Sequence, residues 1–97
     1  MEYENPISKK ELKQICNWAR DVNGRIYKVD PLYARVNVGL GMEIFISKNN
    51  LSSGWTWHIT DDWLLMRISG GSADKLEECL NQAWSAVPKD RKYFNRR

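Results

Sequence analysis

From Ala34 to Ile46 every even position is apolar: Ala34, Val36, Val38, Leu40, Met42, Ile44 and Ile46. A period of two predicts extended chain with one buried face. A single straight strand of that length would be unusually long. Gly39-Leu40-Gly41 breaks it as a three-residue hairpin loop with Gly at the left-handed position. The loop pairs Val38 with Met42, Val36 with Ile44 and Ala34 with Ile46, which puts one apolar set on one face. The pattern then recurs. Trp55, Trp57 and Ile59 alternate with Thr56, His58 and Thr60. After Asp61-Asp62, Leu64, Met66 and Ile68 alternate with Trp63, Leu65 and Arg67. A two-residue Asp-Asp turn pairs Ile59 with Leu64, Trp57 with Met66 and Trp55 with Ile68. A short strand over Arg25–Val29 precedes the first hairpin, joined to it by the turn Asp30-Pro31-Leu32-Tyr33.

Helical spacing flanks the strands. Leu12, Ile15, Cys16, Ala19 and Val22 form one stripe and predict a helix from about Lys9 to Val22. Ser8 and Glu11 have the spacing of a capping box, Ile7 and Leu12 that of a hydrophobic staple. Gly24 stands where a C′ glycine is expected. Gly70-Gly71-Ser72 ends the last strand, and Ser72 is the expected cap of a second helix, with Asp74 in its first turn. Leu76, Cys79, Leu80, Ala83, Trp84 and Val87 form its stripe, and Pro88 closes it. The expected fold is an α+β two-layer sandwich in the order α-β-β-β-β-β-α. Its antiparallel sheet has about five strands, and both terminal helices cover one face.

Composition agrees with a packed domain: 42% of the 97 residues are hydrophobic and five are Trp, more large apolar groups than disordered chains carry. The net charge of +3 is unevenly spread. Residues 88–97 hold Lys89, Arg91, Lys92, Arg96 and Arg97 against Asp90 alone, while the remainder is close to neutral. The division expected is a domain over residues 1–88 and a basic C-terminal tail over residues 89–97. No apolar run is long enough to span a bilayer, and the acidic start Met1-Glu2-Tyr3-Glu4 has no apolar signal region. A cytoplasmic chain is therefore expected, with Cys16 and Cys79 as reduced, buried thiols.

Catalytic and metal chemistry find no motif. There is no CxxC, no paired histidine, no phosphate loop and no calcium loop, so no catalytic residue, cofactor or metal is expected. His58 is the single histidine and reads as a surface or packing residue. The sheet face away from the helices is richer. It carries Arg35, Asn37, Glu43, Phe45, Thr56, His58, Thr60, Trp63, Leu65 and Arg67, and the pairing above sets His58 opposite Leu65 and Thr56 opposite Arg67. Large apolar groups among charges suggest a recognition surface. Arg35, Phe45, His58, Trp63 and Arg67 are its candidate partner-binding residues. Arg91, Lys92, Tyr93, Arg96 and Arg97 are candidate contacts in the tail, where interleaved charge and aromatics suit single-stranded nucleic acid or an acidic protein patch.

Gly70-Gly71-Ser72 ahead of the last helix, in a helix–strands–helix order, resembles double-stranded RNA-binding domains. That family's paired lysines at the helix start are replaced here by Ala73 and Asp74, with Glu77 and Glu78 following, so its RNA-binding function is not carried over. In size and in lacking catalytic groups the chain also resembles small inhibitors made by phages and mobile elements, such as anti-CRISPR proteins, without a shared motif. The leading expectation is a non-enzymatic module, monomeric or homodimeric, that occupies a partner protein as an inhibitor or adaptor. The alternative is a nucleic-acid-binding module using the tail with Arg35 and Arg67.

Overall fold

Ser8 opens the first helix through the expected capping box. Its hydroxyl accepts from the Glu11 N–H (3.1 Å) and the Glu11 carboxylate accepts from the Ser8 N–H (2.9 Å). The computed structural model describes residues 6–49 and 54–92. Its elements are α1 (Lys9–Asp21), β1 (Arg25–Val29), β2 (Tyr33–Gly39), β3 (Met42–Lys48), β4 (Trp55–Asp61), β5 (Met66–Ala73), α2 (Leu76–Ala86) and a short 3₁₀ turn, Lys89–Arg91. The strands form one antiparallel sheet in sequence order, β1-β2-β3-β4-β5. No helix among the described residues is long and apolar enough to cross a membrane.

The core lies between the helices and one sheet face. Ile15 and Ala19 of α1 and Leu76, Cys79, Leu80 and Ala83 of α2 meet Ala34, Val36, Val38, Met42, Ile44, Ile46, Trp55, Trp57 and Ile59 in a single cluster. The expected α+β sandwich with both helices on one face is therefore the fold. Cys16 and Cys79 are both free thiols, but only Cys79 is buried; Cys16 is half-exposed.

The first hairpin keeps the expected face and most of its register, with Ala34 opposite Ile46 and Val36 opposite Ile44. Its loop is tighter than expected. Gly39 pairs with Met42 across the two-residue turn Leu40-Gly41, and a bulge between Asn37 and Gly39 takes up the extra residue. Gly41 is the left-handed residue, at φ +69°. At the end of α1 the left-handed residue is Asn23 (φ 59°), not Gly24. The Asn23 N–H donates to the Arg20 carbonyl and the Gly24 N–H to the Ala19 carbonyl, a Schellman closure with Asn at C′.

The second hairpin departs from expectation. Trp55 lies opposite Ala73, Trp57 opposite Gly71 and Ile59 opposite Ser69; they do not pair with Ile68, Met66 and Leu64. The cause is steric. A Cβ on Gly71 would stand 2.9–3.0 Å from the Trp57 indole, so this ring occupies the space that a larger partner would need. Gly70-Gly71-Ser72 is consequently strand, not a break. Ser72 does not cap α2, and Asp74 precedes its first turn. The N-cap is Lys75, without a side-chain cap, and the first turn carries Glu77 and Glu78. Residues 62–65 become the turn, and Leu64, Met66 and Ile68, expected in the core, are exposed.

Candidate functional site

The open face is built by directly opposed pairs. Arg35 on β2 faces Phe45 on β3, and Phe45 faces His58 on β4. Close pairing lets the Phe45 and His58 rings stack, with centroids 4.5 Å apart and planes 11° from parallel. The Arg35 guanidinium lies 5.4 Å from the Phe45 ring centre and 5.5 Å from that of Tyr27 on β1, within cation–π range. His58 is opposite Gly70, not Leu65, and Arg67 is opposite Thr60, not Thr56. The Arg67 guanidinium reaches over the space above Gly70. Tyr27, Arg35, Phe45, His58 and Arg67 thus form a ladder across all five strands. Burial, with the Arg67 charge adding to it, holds the His58 imidazole below its usual pKa.

Acid groups border the ladder. Glu43, only 2% exposed, accepts from Arg35 Nε. A cleft of about 310 Å³ is lined by Arg35, Glu43, Phe45, Asp62, Leu65 and Arg67 among others. Desolvation and then the neighbouring Glu43 carboxylate push the Asp62 carboxyl up, and a hydrogen bond between the two acids adds to the shift. Glu43 is too buried to reach a substrate, so the pair organises the hairpin end. No group of three or more His, Cys, Asp or Glu that could hold a metal occurs among the described residues.

The β4–β5 turn projects beyond the ladder. Trp63, Leu64, Leu65 and Met66 are 64%, 62%, 88% and 53% exposed, an unbroken apolar run. Asp61 organises it. Its Oδ1 accepts from the Trp63 N–H (2.9 Å) and the Leu64 N–H (3.2 Å). The same carboxylate takes both terminal nitrogens of Arg91, each at 2.9 Å, a bidentate pairing. These bonds, the Arg91 bond foremost, hold the Asp61 carboxyl below the usual range. Arg91 also donates to the Leu40 carbonyl (2.7 Å) and lies 3.9 Å above the Trp63 ring. The Leu40 N–H donates to the Arg91 carbonyl (2.6 Å). Gly39 allows this approach, since a side chain there would collide with the Arg91 carbonyl. Leu65 sits in the left-handed region at φ 54°, a conformation uncommon outside Gly, Asn and Asp.

Of the residues expected to bind a partner, Arg35, Phe45, His58 and Arg67 come together on the ladder. Trp63 does not join them; it belongs to the turn, beside Arg91. Arg91 and Lys92 lie on the domain, with Lys92 Nζ 4.0 Å from the Trp84 ring centre and Lys92 bridged to Gly39. Tyr93, Arg96 and Arg97 lie outside the described residues. Tyr27 and the run Leu64–Met66 are additions. The signal for the run is Trp63-Leu64-Leu65-Met66 itself: four consecutive apolar residues fit a half-buried strand poorly. The fold and this surface define a small α+β domain with an aromatic-cationic ladder on its open face and an apolar tip at one hairpin. No known family, curated protein or solved structure matches the chain.

Proposed function

We propose that this chain is a non-enzymatic protein-binding module that docks the β4–β5 tip into an apolar recess of a partner protein and acts as a small cytoplasmic inhibitor or adaptor by occupying that surface. The observation that carries this reading is the exposed run Trp63–Met66, fixed in place by Asp61 and Arg91. Burying one such side chain on docking contributes about 1.5–3 kcal/mol. The tip is held by the Asp61 carboxylate, so ordering it at a partner costs little further entropy. Aromatic and Arg groups, here Trp63 with Arg91 stacked on it, are the types that dominate binding hot spots. The two free thiols fit a reducing compartment.

The ladder supports a second reading, a nucleic-acid-binding module that stacks bases on an open sheet. Two observations weigh against it. Phe45 and His58 already stack on one another, and Arg35 of the adjoining cleft is already paired with the buried Glu43 carboxylate. Salt separates the readings. Immobilised protein is exposed to host lysate at about 50 mM and about 200 mM salt, a span over which several phosphate contacts lose orders of magnitude in affinity. The proposal expects one protein retained at both concentrations by the native chain and lost on Leu65→Asn. Retention of nucleic acid that collapses with salt and ignores Leu65→Asn favours the second reading.

A further inference from the structure

We infer that the free edge of β5 pairs antiparallel with the β5 edge of a second copy of this chain, about a two-fold axis. The sheet ends at β5, and no strand lies beyond it among the described residues. This edge is eight residues long, Met66–Ala73, without proline and with Arg67 as its one charged residue. Proteins usually blunt such an edge by shortness, bulges or charge. The opposite edge is blunted in this way. Strand β1 has five residues, a register shift between Ile26 and Lys28, and two basic residues in its sequence, Arg25 and Lys28. The β5 edge has a shift only at its start, opposite Ile59 and Thr60.

Charge selects the occupant. Arg67 stands near the start of β5, while Asp74, Glu77 and Glu78 follow its end with Lys75 as the single basic group among them. Two-fold antiparallel pairing brings the start of each edge to the end of the other, so Arg67 of one copy meets the acidic end of its partner, twice over. Pairing the same two edges in parallel would set like charge beside like. A groove of about 670 Å³ runs along the same edge between β5 and α2, lined by Trp57, Gly70, Gly71, Asn81, Gln82 and Ser85 among others. The exposed Ile68 of one copy comes alongside this groove in the other. An isologous seam of this kind satisfies both free edges at once and closes. The two β4–β5 tips then lie at opposite ends of the seam, so the inference stands apart from the partner reading.

The test is sedimentation velocity on the full chain over a concentration series. The native protein is expected to move from the mass of one copy to that of two. Arg67→Glu and Asp74→Arg, both at exposed positions, are each expected to weaken self-association by about tenfold, because each turns two attractive contacts into repulsive ones. An equimolar mixture of the two variants is expected to restore it. At one end of the mixed seam the introduced carboxylate meets the introduced guanidinium, and at the other end the native Arg67 meets the native Asp74. Circular dichroism on each variant confirms the fold, and restoration in the mixture itself excludes misfolding. A native chain that stays at the mass of one copy up to roughly millimolar concentration overturns the inference and leaves the edge to an extended segment of another protein. So does a dimer indifferent to both variants.

Discussion

Leu65 combines an unfavourable backbone conformation with the greatest exposure on the molecule's apolar tip. A left-handed conformation costs a non-glycine residue roughly 1–2 kcal/mol, and nothing in the fold repays that by burying the side chain. Strain held at an exposed apolar residue points to a binding role. Leu65→Asn should therefore raise stability by about 1 kcal/mol, read from a denaturant midpoint; a loss of stability would contradict the account. His58 gives a pH prediction. Its pKa is lowered by burial, so the folded chain binds the proton less readily than the unfolded one. The stability from neutral His58 is complete above the unfolded value of about 6.5 and declines as pH falls through it towards the lowered folded value. Asp62 runs the other way, because its pKa is raised: its contribution is complete in acid and is lost as pH rises through the folded value. The melting temperature should drop between about pH 7.5 and about pH 6, and His58→Phe should remove that part of the drop. An unchanged slope in the variant would refute the assignment. The two thiols should also separate. Burial pushes Cys79 up to about 12, and thiols in that state are inert, whereas Cys16 is partly exposed. Native protein should take up one thiol reagent rapidly and a second only on unfolding. Two equally rapid modifications would be incompatible with this packing.

At the scale of elements, the β4–β5 turn depends on a side chain from the far end of the chain. Arg91 supplies both bonds to Asp61 and covers Trp63. Arg91→Ala should speed amide exchange at Trp63 and Leu64, whose N–H groups the Asp61 carboxylate holds, and leave Ile44 in the sheet centre protected. Equal exchange in native and variant protein would show that the turn stands without the clamp. This dependence also explains which elements could be read from sequence. The capping box of α1, the limits of β1 and the pairing of Ala34 with Ile46 follow from local signals that agree with one another. The second hairpin offered two registers of opposite parity, which put opposite faces of β5 toward the core. Leu64, Met66 and Ile68 matched the apolar alternation, whereas Ser69, Gly71 and Ala73 matched the volumes of Ile59, Trp57 and Trp55. Volume won because an indole packed flat on its neighbour leaves no room for a side chain. Periodicity counts polarity and not size, so it favoured the wrong set. The ladder was legible in part, since Arg35, Phe45 and His58 lie on strands whose faces were assigned correctly. The clamp was not, because the pairing of Arg91 with Asp61 spans thirty residues and has no local pattern.

Across the whole molecule, three surfaces differ in chemistry: the ladder on the open face, the apolar tip, and the free β5 edge. The tip is the one whose exposure the fold does not require. Removing residues 89–97 as a block would conflate loss of the tail with loss of the clamp, because Arg91 belongs to the clamp. The decisive comparison is therefore quantitative capture of host protein by three chains: native, native lacking residues 93–97, and Leu65→Asn. The account predicts that the shortened chain retains the captured protein at the native level. Leu65→Asn, though at least as stable as the native chain, should lose about tenfold or more in affinity, the value of one well-buried leucine at an interface. Undiminished capture by Leu65→Asn, together with loss of capture on removing residues 93–97, would contradict it.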